Sequence, residues 1–297
     1  MPEALASHWP EYLIEAFLLG AFMVSACLSV ALLEHPSSLV RRAIPSGMAR
    51  RAIVGLIMGL TAIALIYSPW GARSGAHMNP AFTLTFWSLG KIAPADAAWY
   101  IAFQFAGGAV GVLLCRLALP RIIAHEQVAH VVTLPGPRGA AIAWLAELAI
   151  SAGLMVVVLV MTNRPDTAPF TGLVAGVLIA LFITAEAPLS GMSMNPARSL
   201  ASALVAGEYR GMWIYFTAPT AAMALAGLAF AGVMGGDHIL CAKINHQGHE
   251  RCIFRCHIDL LGPRGADGAS TTTPATRGGI EPGAARTDPG VDPVLHP

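Results

Sequence analysis

"SGAHMNPA" at residues 74–81 returns as "SGMSMNPA" at 190–197, six of eight letters identical across 116 positions. Asn is a favoured helix N-cap, and Pro suits the first helical position because the N–H it lacks would be unpaired there. Asn79-Pro80-Ala81 and Asn195-Pro196-Ala197 therefore each read as a helix start. The apolar stretches that follow, "AFTLTFWSLG" and "ARSLASALVAG", are about ten residues long and reach across only half of a hydrocarbon layer. They are predicted to be half-helices.

The chain around them is built for a bilayer. Of its 297 residues 55% are hydrophobic and 12% charged, against about 25% charged in an ordinary soluble domain. Mean hydropathy is +0.62. Six stretches have the length and composition to cross as helices, about 11–33, 52–69, 95–118, 140–162, 170–187 and 211–234. The N-terminus has no basic region ahead of its apolar run, which argues against a cleaved signal peptide. A formal net charge of +1 gives no reason to expect a nucleic-acid partner.

Two similar halves, 11–125 and 138–235, organise the apolar region 11–235 behind a short N-terminal segment 1–10. Each half opens on a span with one acidic residue, Glu15 or Glu147, and continues through a second span, a Gly-containing approach, Asn-Pro-Ala and a third span. An odd number of spans per half forces opposite orientations in the membrane. Such inverted repeats place their functional site near the midplane, at the repeat interface. Two half-helix N-termini would meet there, each carrying about +0.5 elementary charge, with the amides of Asn79 and Asn195 as hydrogen-bond donors. Cations are repelled and neutral oxygens are welcome.

The approach segments need non-helical backbone at membrane depth, which is tolerable where it lines a wet cavity. Their carbonyls, at Gly75, Ala76 and His77 and at Gly191, Met192 and Ser193, are predicted to offer acceptors to a passing hydroxyl. The neutral Asn pair argues against a coupled secondary transporter, which needs acidic or His coupling ligands. No nucleophile, base and orienter set occurs in the spans, so an enzyme is disfavoured and no cofactor is expected.

In these residues, "SGAHMNPAFT", "SGMSMNPARS" with its Arg198, and the leading Glu15 and Glu147, the chain resembles the major intrinsic proteins, the aquaporin and glycerol-facilitator family. The resemblance covers about 11–235. It implies an all-α membrane protein of six transmembrane helices and two re-entrant half-helices, a pore in every protomer and a homotetramer in the lipid bilayer. It implies passive flux of water and small neutral solutes. It also makes Glu15 and Glu147 braces for the loop backbone, a role shared by His77, and gives Arg198 to a selectivity filter. Counting from the motifs places Met192 and Ile183 in that filter, with a residue of the second span that strict counting gives as Gly59 and one inserted residue gives as Met58, the preferred assignment. Water-selective relatives usually carry His at the Ile183 position, so this filter is atypical. Ser199, Ala203, Tyr215 and Phe216 match the water-channel branch. The reading is a channel for water that admits other small neutral solutes, with a glycerol or small-polyol facilitator as the alternative. The expected location is the cell membrane, plasma or inner, with both termini cytoplasmic, although the basic residues do not choose a side.

Beyond residue 235 the composition changes. Residues 262–297 are rich in Gly, Pro, Thr and Ala and are predicted to be disordered. Segment 236–261 carries Cys241, Cys252 and Cys256 with several His, His249 among them. These are soft zinc ligands, but the cysteine spacings of ten and three intervening residues match no strong zinc pattern. The favoured reading is a juxtamembrane segment whose Lys243, Arg251 and Arg255 meet anionic lipid.

Overall fold

The fold is that of a computed structural model, which describes residues 1–246 and 251–257. The predicted disordered tail 262–297, and His249, lie outside the described residues. Among the described residues the secondary structure is helical, with no strand.

Six long helices are apolar enough to cross a membrane. They are α1 (Pro2–Glu34), α2 (Gly47–Tyr67), α4 (Pro94–Ala118), α5 (Ala140–Thr162), α6 (Thr171–Ala185, which spans with the 3-10 turn that precedes it from Ala168) and α8 (Met212–Met234). Two shorter ones follow the Asn-Pro-Ala motifs, α3 (Pro80–Ser88) and α7 (Pro196–Ala206), and the connections hold further single turns of helix. α3 and α7 are the two predicted half-helices, nine and eleven residues long. From Pro2 onward the N-terminal segment 1–10 forms the first turns of α1. Polar contacts hold that extension, with His8 Nδ1 and the Tyr12 hydroxyl both on Asp96 at the start of α4.

The start of α1 and the end of α8 share one side of the bundle, called here the terminal face. Alternate crossing puts the α1–α2, α4–α5 and α6–α7 connections on the opposite, distal face. The pairing of helices repeats between halves. α1 packs on α4 as α5 packs on α8, α7 of the second half rests on α4, and α3 of the first rests on α8. α2 and α6, equivalent spans, pack on each other across the repeat interface.

Close approach makes these crossings. In lipid there is no hydrophobic force between helices, so association depends on van der Waals contact and interhelical hydrogen bonds, and small residues at the seam increase both. A Cβ on Gly59 of α2 would lie 2.5 Å from Gly176 O of α6, and one on Gly107 of α4 would lie 2.1 Å from Ala16 O of α1. Large apolar side chains such as Phe17, Leu60, Leu114, Leu181 and Leu228 are exposed on the outer surface, the inverse of a soluble domain and the arrangement a lipid solvent favours.

Candidate functional site

Each half-helix is capped as its sequence demands. Asn79 Oδ1 accepts the Ala81 N–H at 2.9 Å. Asn195 Oδ1 accepts those of Ala197 at 3.0 Å and Arg198 at 3.2 Å. The amide nitrogens then cross over: Asn79 Nδ2 donates to Met194 O and Asn195 Nδ2 to Met78 O, both at 2.7 Å. Each NH₂ has two hydrogens, so one fixes the opposite loop and the second is left for the cavity that both residues line.

The approach loops have matched irregular backbones. Gly75, Ala76 and Met78 have positive φ, and so do Gly191, Met192 and Met194. Left-handed conformations cost non-glycine residues free energy and persist where surroundings over-determine them. The two glutamates supply that determination. Glu15 Oε1 accepts from Ser74 Oγ (2.8 Å) and His77 N (3.0 Å), and its Oε2 from Met78 N (2.6 Å) and Gln104 Nε2 (2.9 Å). Glu147 Oε1 accepts from Ser190 Oγ (2.6 Å) and Ser193 N (2.7 Å), and its Oε2 from Met194 N (2.7 Å). Both are fully buried. A charge in the interior is thereby surrounded by donors.

A cavity of about 560 Å³ threads the two loops. Its distal end is lined by Glu34, Gly47 and Arg51, its middle by Asn79 and Asn195, and its lining at the terminal end includes Ile244. Met58, Ile183, Met192 and Arg198 all line it. Gly59 instead turns its missing side chain toward Gly176. Arg198 is held from a loop that sequence reading did not single out: its Nη1 donates to Val131 O at 2.9 Å. Val131 ends a run of three left-handed residues with Ala129 and His130. Ser199 bonds to Thr133 and Ser193 hydroxyls, tying that loop to the second motif.

Tyr100 was missed in the sequence, and Tyr215 was read there only as a marker of the water-channel branch. Tyr100 of α4 donates to Ser74 O at 2.7 Å, and Tyr215 of α8 donates to Ser190 O at 2.6 Å. Both are fully buried and occupy equivalent positions. Their near-equal offset from the two Ser-Gly pairs was a readable signal. Phe216, by contrast, is partly exposed and stacks on Phe105 at 6.0 Å.

Two expectations need correction at the terminal end. Ala76 and His77 line the cavity with Met78, but the Gly75 carbonyl accepts the Ile244 N–H at 3.2 Å. It is engaged by the chain's own C-terminal segment. Nor does Lys243 meet lipid: it is buried, and its Nζ donates to Ala72 O at 2.8 Å and Arg251 O at 2.9 Å. Arg251 and Arg255 donate to Ser7 O and Gly90 O. His77 joins both regions, with its Nε2–H donating to Ala242 O at 2.9 Å and its Nδ1 3.1 Å from Thr83 Oγ1.

Residues 6–230 match the model of the family described as Major intrinsic protein. Probable aquaporin NIP4-2 of Arabidopsis thaliana is 36% identical over 182 residues, 61% of this chain and 59% of that protein. Aquaporin NIP1-1 of Oryza sativa subsp. japonica is 35% identical over 172 residues, 57% of each. The chain thus spans less than two thirds of the length of these curated relatives. Among solved structures, the aquaglyceroporin from Plasmodium falciparum aligns with a TM-score of 0.66 at 19% identity, over 78% of this chain and 98% of that one. That likeness is one of fold.

Proposed function

The chain belongs to the major intrinsic protein family, a multi-pass membrane channel and not an enzyme, and we propose that its pore conducts water and other small neutral solutes while rejecting ions and protons. The observation that carries this reading is the crossed Asn79 and Asn195 pair inside a cavity that continues to Arg198. Both half-helix N-termini point their positive ends at the same midplane position. A permeating oxygen accepts hydrogen bonds from the two spare amide hydrogens, which orients it as an acceptor from both sides and breaks a donor-to-acceptor chain along which a proton would hop.

Charge enforces the rejection of cations. A monovalent cation about 4 Å from the Arg198 guanidinium meets roughly 4 kcal/mol of repulsion at an effective dielectric of about 20. That alone depletes it about a thousandfold, before the two half-helix ends add theirs. A neutral solute is not penalised this way, and it gains Arg198 as a donor.

Solute choice rests on the wall opposite Arg198. Met58, Ile183 and Met192 are apolar, so a water there forgoes hydrogen bonds that a CH₂-bearing solute never needed. This apolar wall favours a second reading, a glycerol or small-polyol facilitator. The relatives' names, aquaporin for the plant proteins and aquaglyceroporin for the solved structure, support the pair of readings equally. Stopped-flow light scattering on proteoliposomes decides between them, comparing water with glycerol and urea. Fast water flux with slower solute entry is expected; rapid glycerol swelling with little water flux overturns the water-first reading. Family membership also supports a homotetramer, each protomer with its own pore, in the cell membrane with the terminal face cytoplasmic.

A further inference from the structure

Among its described residues, the C-terminal segment crosses the terminal face without regular secondary structure after a short turn at Gly236–His238. Yet it is buried: Ile239, Cys241, Ala242, Ile244 and Phe254 are each at most 7% exposed. Its anchors surround the pore mouth. Leu240 N–H donates to Asn163 Oδ1 at 2.7 Å, just past the end of α5. Ile244 N–H reaches Gly75 O in the first re-entrant loop, and Arg255 N–H reaches Lys91 O beyond α3 at 3.0 Å. Phe254 stacks on His77 with ring planes 7° apart. Between these anchors Ile244 is the one C-terminal residue, among those described, that lines the cavity.

Within the same segment four soft ligands converge. Cys241 Sγ lies 3.6 Å from Cys252 Sγ, and Cys256 Sγ lies 3.3 Å from His246 Nε2. All four ligand atoms fall within 4.8 Å of one another. Around a tetrahedral zinc, with bonds of roughly 2.3 Å to sulfur and 2.0–2.1 Å to nitrogen, the atoms of three sulfurs and one nitrogen stand about 3.5–3.8 Å apart. The Cys241–Cys252 and Cys256–His246 separations are already within about 0.3 Å of this, and the widest pair needs to close by about 1 Å, within reach of side-chain rotation. Three sulfurs and an imidazole exclude magnesium and calcium, which take oxygen ligands.

We propose that Cys241, His246, Cys252 and Cys256 bind one zinc ion and that this ion fastens the C-terminal segment across the pore mouth, with Ile244 as the stopper. The physical need is plain: an irregular segment of this length loses much conformational entropy on ordering. A four-ligand metal cross-link closes its loops and supplies the missing stabilisation. Loss of the metal frees the segment and opens the terminal end of the cavity. If the terminal face is cytoplasmic, its reducing environment keeps the thiols available to metal. The binding part stands without any transport reading; the closure part rests on the proposed channel function.

The test uses the full-length, tag-free protein in detergent, stripped with a chelator, reloaded with Zn²⁺ and desalted. Elemental analysis is expected to give about one zinc per chain, and a Cys252→Ser/Cys256→Ser variant of the same elution volume is expected to hold at least tenfold less. Co²⁺ in place of Zn²⁺ should show the visible and thiolate charge-transfer bands of a tetrahedral sulfur site. Wild type that holds no more zinc than the double variant, or that shows Cys241 and Cys252 joined as a disulfide after purification under reductant, overturns the site. In proteoliposomes chelation is expected to raise water permeability severalfold, and Ile244→Ala should raise it with zinc still bound. Stoichiometric zinc with the same permeability in its presence and absence overturns closure alone. A complete lack of flux in the chelated protein and in Ile244→Ala is instead a failure of the channel reading.

Discussion

Replacing Glu147 by Gln changes one atom and tests whether the second re-entrant loop is held by its carboxylate. The native side chain accepts three hydrogen bonds, two at Oε1 from Ser190 and Ser193 and one at Oε2 from Met194 N–H. A glutamine retains one acceptor oxygen. If that oxygen stays with Ser190 and Ser193, the new NH₂ faces the Met194 N–H, donor against donor. The loss is one charge-assisted bond and one buried N–H left unpaired, together about 2–4 kcal/mol. In a chain of this size that corresponds to a fall of roughly 3–7 °C in Tm in detergent. The matched change Glu15→Gln provides an internal comparison. Gln104 Oε1 has no hydrogen-bond partner, so a flip of the Gln104 amide would receive the new NH₂ and limit the damage to the Met78 N–H. With that flip each variant leaves one loop N–H unpaired, Met194 or Met78, so the two are expected to lower Tm by similar amounts, measured by intrinsic fluorescence on heating, with reduced water permeability in both. A Glu147→Gln protein that melts within about 1 °C of wild type and conducts normally would refute the bracing argument.

Other sites give further expectations. Arg198→Val removes the guanidinium bonded to Val131 O; glycerol and urea permeability should rise relative to water, and an unchanged solute profile in stopped-flow assays would remove Arg198 from the filter. Gly59→Val should sharply lower the yield of folded protein on size-exclusion chromatography, because its Cβ meets Gly176 O at 2.5 Å and the α2–α6 seam is backbone against backbone. Glu186, one residue beyond α6, is buried, and burial pushes its pKa up to about 7. The folded state then holds a proton that the unfolded state releases near pH 4.5, so stability should fall as pH rises from about 4.5 to 7 and level off above; a melting series should show this slope, and Glu186→Gln should flatten it.

How far the letters reached depended on whether the physics was local. Asn79-Pro80 and Asn195-Pro196 carry their own instructions, a side-chain cap and a fixed φ, and the half-helices begin where those instructions say. Duplication added what one copy lacks, because two equal motifs separated by an odd number of spans imply opposition. The hold on Arg198 had no such signal. It depends on Val131 in a left-handed run of Ala129, His130 and Val131, none of them a residue type that announces that conformation. Only the surrounding structure selects it.

The C-terminal cysteines show the same limit from the other side. Zinc patterns are recognisable in sequence when ligands sit on tight turns, where close spacing and close distance are the same thing. Here ten residues separate Cys241 from Cys252, yet their sulfurs are 3.6 Å apart. The chain returns because its flanks are fixed to the bundle, at Asn163 on the way in and at Lys91 on the way out. Ligand geometry in this segment is therefore a consequence of how the pore mouth is built. The same anchors that gather the sulfurs also bring Ile244 against Gly75, which couples the chemistry of the cluster to the path of the solute.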